Sequence, residues 1–225
     1  FVHFGTLLSV VVVLGKDIVE MSKSFLEAVT GIHLTKKRYQ ENEYFRLGVY
    51  ILLASIPAAV VGIRYEDEIS AAFTDPKLVA VMLIFTGLIL YLTRLSRPAE
   101  PKSIGLFQAL LVGVAQAVAI IPGISRSGST MSMAIYLRVT PIQAARFSFL
   151  LSVPVIAGAT LLKTKDLVSE GFTPGYMIPI LVGTMVAFLS GYVAIKLLFR
   201  IIEKGRFSFF SYYCLVVGTL GIMFI

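Results

Sequence analysis

The sequence predicts an all-α polytopic membrane protein, with about five full or partial transmembrane spans and one re-entrant helix hairpin in an inverted-repeat architecture. Apolar residues make up 57% of the 225-residue chain and charged residues only 15%, which is typical of proteins that cross a bilayer several times. The apolar runs are long and continuous, whereas a membrane β-barrel would show short alternating segments. We therefore interpret residues 1–225 as a single integral membrane domain.

Residues 1–14 are predicted to form the tail of a membrane helix, whose few polar side chains include His3 and Thr6. A histidine inside a bilayer is either a packing residue or a functional one, and we keep His3 as a candidate. Residues 15–46 mix acidic and basic side chains and are predicted to be a surface helix followed by a solvated cytoplasmic connection. Because the chain opens in the middle of an apolar run, we expect its natural N-terminus to lie upstream.

Five later apolar runs are long enough to cross the hydrocarbon core, which takes roughly 17 to 25 helical residues. Charged segments separate them, among them an acidic loop at 64–77, a basic turn at 94–103 and a loop at 163–175. The predicted spans are residues 47–63, 78–93, 145–162, 177–198 and 207–225.

Residues 105–139 are predicted to be a re-entrant hairpin with a polar loop at its tip. Apolar residues on both sides enclose the sequence Pro-Gly-Ile-Ser-Arg-Ser-Gly-Ser-Thr at 122–130. The second limb has about eleven residues before Pro141, which cover only about half of the hydrocarbon core. Irregular backbone at this depth is tolerated only inside protein or along a wet cavity, so we expect the loop to have a function.

Arg126 makes this loop a candidate anion-binding site. Insertion scales put the cost of an arginine near the bilayer centre at about 2.5–3.5 kcal/mol. No Asp or Glu occurs between Glu100 and Asp166, so the countercharge must come from elsewhere in the chain or from a ligand. The alternative is a simple turn whose arginine snorkels to the interface, but it leaves a desolvated guanidinium and clustered hydroxyls unexplained.

The other loop residues favour phosphate or diphosphate as that ligand. Gly123 and Gly128 let the backbone turn and approach closely, and Ser127 or Ser129 is predicted to cap a helix that begins near Thr130. The free N–H groups at such a helix start attract anions, and a guanidinium matches the geometry of phosphate oxygens. The hydroxyls that complete this predicted cradle are those of Ser125, Ser127, Ser129 and Thr130.

Lys and Arg are distributed unevenly between the predicted loops. The segments 15–46, 94–103 and 196–207 hold 13 of the 20 basic residues, whereas 64–77 and 163–175 hold 4. The positive-inside rule therefore places the first group in the cytoplasm. The loops alternate between the two sides of the membrane only if the segment between 94–103 and 163–175 makes one net crossing. A re-entrant hairpin plus one span satisfies this condition, and three full crossings would satisfy it too.

A short internal repeat indicates inverted topology. Leu-Leu-Ala-Ser-Ile-Pro at 52–57, with Gly62, recurs as Leu-Leu-Ser-Val-Pro at 150–154, with Gly158. The two spans run in opposite directions under this orientation, as expected for inverted repeats with a binding site near the midplane. A second re-entrant hairpin is then expected before residue 1.

Composition also excludes several classes of protein. The net charge of +7 arises from basic residues in inter-helix loops, where membrane orientation explains them and nucleic-acid binding is not needed. Cys214 is the only cysteine, so neither a disulfide nor a cysteine metal site is available. The acidic residues lie in loops and the two histidines are not paired, so no metal site is predicted within this chain.

The residues at 122–130 resemble the Pro-Gly-x-Ser-Arg-Ser-x-x-Thr motif of the undecaprenyl-diphosphate phosphatases, also called the bacitracin-resistance (BacA) family. The similarity continues at 147–154 and 3–8 and covers essentially the whole chain. It implies a multi-pass enzyme of the bacterial cytoplasmic membrane, with its active site toward the outer face. The enzyme would remove the terminal phosphate of undecaprenyl diphosphate and regenerate the carrier lipid for peptidoglycan and other envelope polymers.

The resemblance also implies residue roles and partners. Catalysis is assigned to Arg126, Ser125 and Thr130, and the backbone N–H groups of 127–130 would meet charge that develops in the transition state. A divalent cation, Mg²⁺ or Ca²⁺, is implied as cofactor and a polyprenyl diphosphate lipid as substrate, and a homodimer is a further expectation. The substrate-binding candidates are Gly123, Ser127, Gly128, Ser129, His3 and, in a minor positioning role, Gln116.

One part of the family pattern has no counterpart in this chain. The family's pair of glutamates and its Ser-Ser-x-Gly-His run, proposed to supply the base, the nucleophile and metal contacts, belong to a hairpin before residue 1. We therefore expect the 225-residue chain to hold the substrate-gripping half of the site and to be inactive alone. The rival interpretation is a transporter or flippase that binds an anionic lipid headgroup without cleaving it.

Overall fold

The computed structural model describes residues 2–30, 41–96, 103–170 and 177–225, and its elements in these ranges are all helices. Five of them are long and apolar enough to cross a membrane, and each overlaps one predicted span. The prediction of an all-α polytopic membrane protein is therefore confirmed. These five segments are Glu43–Arg64, Pro76–Leu95, Pro141–Leu161, Ile178–Glu203 and Phe207–Phe224.

The described helices are numbered here in chain order. Short 3₁₀ turns extend α5 at Thr93–Leu95 and precede α10 at Phe207–Phe209. The helices are α1 (Val2–Val13), α2 (Gly15–Thr30), α3 (Glu43–Arg64), α4 (Glu66–Ala72), α5 (Pro76–Leu92), α6 (Leu106–Val118), α7 (Arg126–Tyr136), α8 (Pro141–Glu170), α9 (Met177–Glu203) and α10 (Phe210–Phe224).

The first two helices meet at a sharp bend of 85° near Leu14. α1 is the apolar helix predicted for residues 1–14, and α2 is the predicted charged helix. The connection expected after α2 falls largely on residues 31–40, which lie outside the described residues.

Two segments predicted as loops contain helix instead. α4 lies within the acidic loop at 64–77, because Glu66, Asp67 and Glu68 occupy its first turn and favour the positive end of the helix dipole. α8 continues to Glu170, into the loop predicted at 163–175. No glycine or proline occurs between Gly158 and Gly171, so nothing in the local sequence ends the helix earlier.

The chain divides into two compact units, residues 1–49 with 149–200 and residues 50–148 with 201–225. Within the first unit, α1 and α9 cross closely at small residues. A Cβ added to Gly5 would lie 2.4 Å from the Thr184 carbonyl oxygen, and the Ser9 hydroxyl donates to the Phe188 carbonyl at 2.7 Å. Close contact through small residues and an interhelical hydrogen bond is the usual way that membrane helices associate.

The second unit contains the hairpin and the helices that support it. α5 packs along α10, where a Cβ on Gly218 would lie 2.9 Å from the Ala80 carbonyl oxygen. α6 and α7 pack against each other across the turn at 119–125. With 13 and 11 residues, these two helices are about 20 and 17 Å long, too short to cross a bilayer, which fits the predicted re-entrant hairpin.

Helix α6 is held to α3 at a single point of very close approach. A Cβ on Gly113 would lie 2.4 Å from the Ala54 carbonyl oxygen and 2.8 Å from its Cα. These are backbone atoms, so no side chain can turn away to make room. The position therefore accepts glycine alone without a shift of one helix.

We expect Gly113→Ala to lower the free energy of unfolding by roughly 1–3 kcal/mol, because the added methyl group overpacks this crossing. Thermal unfolding of the purified protein in one detergent measures the change. Gly183→Ala is the matched control, because a Cβ there meets no heavy atom within 4 Å. Equal melting temperatures for the two variants would contradict the assigned contact.

Candidate functional site

Helix α7 begins at Arg126 and is capped by Ser125. The Ser125 hydroxyl accepts a hydrogen bond from the Gly128 N–H at 3.2 Å, and the Ser125 carbonyl accepts one from the Ser129 N–H at 2.8 Å. The prediction that Ser127 or Ser129 caps a helix beginning near Thr130 is therefore wrong. Ser125 serves as the cap because its backbone is extended. Gly128 leaves room for the capping hydroxyl, since a Cβ added at that position would lie 3.0 Å from the Ser125 Oγ.

This helix start changes which backbone donors are available to an anion. The N–H groups of Gly128 and Ser129 are already bonded to Ser125, and the predicted contact of the 127–130 backbone with a ligand stays a prediction. The first N–H groups of a helix have no helical carbonyl to donate to. Those of Arg126 and Ser127 therefore remain as the backbone donors of this loop.

Helix α5 holds the loop in place through Thr86. The Thr86 hydroxyl accepts from the Ser125 N–H at 3.0 Å and donates to the Gly123 carbonyl at 3.2 Å. Gly123 has a φ of +88°, and a Cβ there would lie 2.2 Å from the Val79 carbonyl oxygen, so glycine is required. The loop is thus seated on α5 by two hydrogen bonds and one close backbone contact.

Arg126 presents an uncompensated charge at the start of α7. Its side chain is partly buried, and the Nη1 atom is fully buried without a hydrogen-bond partner in the described part of the chain. No carboxylate of the described residues forms an ion pair with it. The described part of the protein therefore offers no acid that would neutralise the guanidinium.

Other buried polar groups of the hairpin also lack partners among the described residues. Gln116, which is 1% exposed on α6, has no partner for either amide atom. The hydroxyls of Ser129 and Ser132, three residues apart on one face of α7, have none either. Buried polar groups are rarely left unpaired, so this set is a candidate lining for a polar ligand.

The remaining predicted hydroxyls differ in their surroundings. Thr130 is buried, and its Oγ1 lies 2.9 Å from the Arg126 carbonyl and 2.6 Å from the Ser148 Oγ. Ser127 is partly buried, and no described residue bonds its hydroxyl. The structure thus places Arg126, Ser127, Ser129 and Gln116 on the hairpin with unused donors. The catalytic assignment of Ser125 and Thr130 stays a prediction.

His3 belongs to the other unit. It is exposed on α1, and its backbone carbonyl accepts the Thr6 hydroxyl at 2.8 Å. Its place among the substrate-binding candidates therefore stays a prediction.

The described residues do not provide a site for the divalent cation that the resemblance implies. No group of three His, Cys, Asp or Glu side chains in the described ranges is placed to hold a metal ion. The loop offers hydroxyl, amide and guanidinium groups, whereas Mg²⁺ and Ca²⁺ prefer carboxylate and carbonyl oxygens.

Two residues that support the site were not identified from the sequence. Ser148 bonds Thr130, and Thr86 bonds the loop backbone. Thr86 did leave a signal, because it is the only serine or threonine between Leu78 and Leu92 in an otherwise apolar span. A lone hydroxyl in such a span is a candidate partner for a neighbouring backbone.

We expect Thr86→Val to loosen the loop, because it leaves the Ser125 N–H and the Gly123 carbonyl buried without their partner. Such a loss costs about 1–3 kcal/mol. Hydrogen–deuterium exchange should become faster in residues 122–128 and stay unchanged in α10. Thr86→Ser keeps the hydroxyl and is the control, and unchanged protection of the loop in Thr86→Val would contradict the role of this clamp.

Comparison with known proteins assigns the chain to a family. The family model described as "Bacitracin resistance protein BacA" matches residues 1–220. Proteins named undecaprenyl-diphosphatase are similar over 99% of this chain. The protein of Salinibacter ruber is 37% identical over 222 residues, which cover 82% of its own length. The one from Halothermothrix orenii is 42% identical over 225 residues, or 81% of its length. The chain therefore belongs to the bacitracin resistance protein BacA family.

Proposed function

We propose that this chain is an undecaprenyl-diphosphate phosphatase, a membrane hydrolase that converts undecaprenyl diphosphate to undecaprenyl phosphate and inorganic phosphate. The relatives named above are undecaprenyl-diphosphatases that align with nearly the whole chain. In the structure, the observation that carries the proposal is the Arg126 guanidinium, which has a buried nitrogen and no acid partner among the described residues. A lipid diphosphate supplies the charge that this site lacks.

The unpaired donors of the hairpin support a role for it in binding and orienting the diphosphate. The Arg126 guanidinium forms paired hydrogen bonds to phosphate oxygens, and the free N–H groups of Arg126 and Ser127 point to the same end of α7. The Ser127 and Ser129 hydroxyls and the Gln116 amide add neutral donors. In phosphoryl transfer, fixed donors around the phosphate stabilise the charge that shifts toward the leaving oxygen.

The hairpin supplies no group that would activate the attacking water. Residues 105–139 contain no Asp, Glu or His. The general base is therefore placed outside this hairpin, and the role of the loop is electrostatic. The rival interpretation, a transporter that leaves the lipid intact, finds no support in the relatives named above.

The cellular setting of the enzyme is part of the proposal. The family resemblance implies a bacterial cytoplasmic membrane and a site that opens to its outer face, and the distribution of Lys and Arg places the loops at 15–46, 94–103 and 196–207 in the cytoplasm. A divalent cation, Mg²⁺ or Ca²⁺, is also part of the proposal and would offset negative charge on the diphosphate; the described residues contain no group of three His, Cys, Asp or Glu side chains placed to hold it. A homodimer is the proposed assembly, and the mass of the purified protein in detergent, from light scattering, tests it.

Release of inorganic phosphate from undecaprenyl diphosphate in micelles tests the proposed reaction. The assay uses a purified protein that carries this sequence together with the family's glutamate pair and Ser-Ser-x-Gly-His run, because we expect the 225-residue chain to be inactive without them. We expect one phosphate per lipid consumed, with undecaprenyl phosphate as the other product. We also expect the release to stop when EDTA removes the divalent cation. Translocation of the intact diphosphate across vesicles without any release of phosphate would favour the transporter instead.

Substitution of Arg126 tests the binding role of the loop. We expect Arg126→Lys to weaken binding of farnesyl diphosphate and to slow phosphate release by roughly 10²- to 10³-fold. The physical reason is that an ammonium group keeps the charge but loses the paired hydrogen bonds. Equilibrium binding in detergent and the release assay measure the two effects separately.

Arg64→Lys is the matched control for this substitution. Arg64 is exposed at the end of α3, and its guanidinium carbon lies 6.0 Å from the centre of the Tyr65 ring, its only interaction with the described residues. Its replacement should leave binding and release unchanged. Farnesyl diphosphate binding of wild-type strength in Arg126→Lys would remove the main support for the proposed site.

A further inference from the structure

The second unit contains a basic cavity that is separate from the loop around Arg126. Its volume is about 480 Å³, and it lies where α5 ends and α10 begins. Ile135 of α7 lines it, nine residues from Arg126 and therefore about 13 Å away along the helix axis. Polar and apolar groups share the wall, among them Arg94, Ser96, Ser208, Ile202 and Phe207.

Arg94 is fixed in the wall of this cavity. Its Nε donates to the Ser208 hydroxyl and its Nη2 to the Tyr212 hydroxyl, both at 2.9 Å. The guanidinium carbon lies 4.9 Å from the centre of the Tyr91 ring and 5.2 Å from that of Tyr212. An arginine that only snorkels to an interface keeps its freedom, whereas this one is held in a single orientation.

The charge around the cavity is positive. Arg94 forms no ion pair with a described residue, and no described side chain accepts from its Nη1 group. A second guanidinium, that of Arg206, lies 6.0 Å from the Phe209 ring, which also lines the cavity. Lys204 is adjacent in sequence to Gly205, which lines the cavity. Glu203 is the only acid in residues 201–225. The cavity therefore combines fixed donors, excess positive charge and apolar walls.

We propose that this cavity binds a phosphate group, carried by an anionic phospholipid at the membrane interface or present as free inorganic phosphate. The guanidinium edge with Nη1 donates to the phosphate oxygens, and the Ser96 hydroxyl lies in the same wall. Ile202 and Phe207 provide an apolar surface for the first carbons of a lipid chain. The basic segments 94–103 and 196–207 place this end of the unit on the side where anionic headgroups attract cations. The proposal does not depend on the hydrolase reaction.

Binding of defined probes to the purified protein in neutral detergent tests this site. The probes are short-chain phosphatidylglycerol, phosphatidylcholine of the same chain length, and inorganic phosphate. Native mass spectrometry counts bound lipid, and the shift in melting temperature reports saturation. Arg94→Gln removes the charge, whereas Ser96→Trp fills the cavity and leaves the Arg94 bonds intact. Arg64→Gln and Arg126→Gln are the controls, the latter for binding at the hairpin.

We expect wild-type protein to bind phosphatidylglycerol more tightly than phosphatidylcholine, and both test variants to weaken that binding by roughly tenfold or more. Arg64→Gln should bind as wild type does, and the preference for phosphatidylglycerol over phosphatidylcholine should persist in Arg126→Gln. Saturable inorganic phosphate binding that Arg94→Gln removes, without a preference for phosphatidylglycerol, would support the same site with free phosphate as its ligand. The proposal would be overturned if a folded test variant, whether Arg94→Gln or Ser96→Trp, bound each probe as tightly as the wild-type protein does.

Discussion

The second unit must accommodate the partly buried guanidinium of Arg126, which has no acid partner among the described residues. Charge in a medium of low polarity is tolerated when hydrogen bonds and a countercharge surround it, and Arg126 has neither among the described residues. The backbone around it is nevertheless well bonded, because Ser125 satisfies the N–H groups of Gly128 and Ser129. The local polar groups thus stabilise the helix start, and the described residues leave the charged side chain without a partner. A lipid diphosphate is chemically suited to be that partner, because it brings several negative oxygens into a region where water is scarce.

The loop that carries Arg126 is held in position by the neighbouring helix α5. α5 contacts α10 on one side, where Gly87 and Gly218 allow the backbones to approach, and carries the loop on the other through Thr86. One hydroxyl in an apolar span therefore links the packing of two membrane helices to the position of the binding loop. Fixed donors are effective in catalysis only when they do not have to reorganise during the reaction. The tight packing of α5 is in this sense a part of the site, although none of its residues carries a charge there.

Sequence reasoning succeeded where a single segment contains the whole signal. The spans at α3 and α5 follow from apolar length, and the polar loop follows from an arginine in a region without acids. Sequence reasoning failed where a contact with a residue distant in sequence decides which of several similar residues caps a helix. Ser125, Ser127 and Ser129 are all good N-caps, and the hydrogen bond from the Ser125 N–H to Thr86, 39 residues away, fixes the first of them as the cap. The helix α4 was missed for a different reason, because an acidic run was interpreted as solvated loop although it stabilises a helix start.

The hydrogen bonds of Ser125 and Thr130 separate two roles that the motif alone assigns together. The Ser125 Oγ accepts from the Gly128 N–H, which uses a lone pair and leaves the hydroxyl hydrogen available for a phosphate oxygen. Thr130 is arranged in the opposite sense. Its hydroxyl donates to the Arg126 carbonyl at 2.9 Å, and its Oγ1 also lies 2.6 Å from the Ser148 Oγ. We therefore predict that Thr130 supports the backbone of Arg126 from inside the protein, whereas Ser125 caps the helix and keeps its hydroxyl hydrogen for the diphosphate.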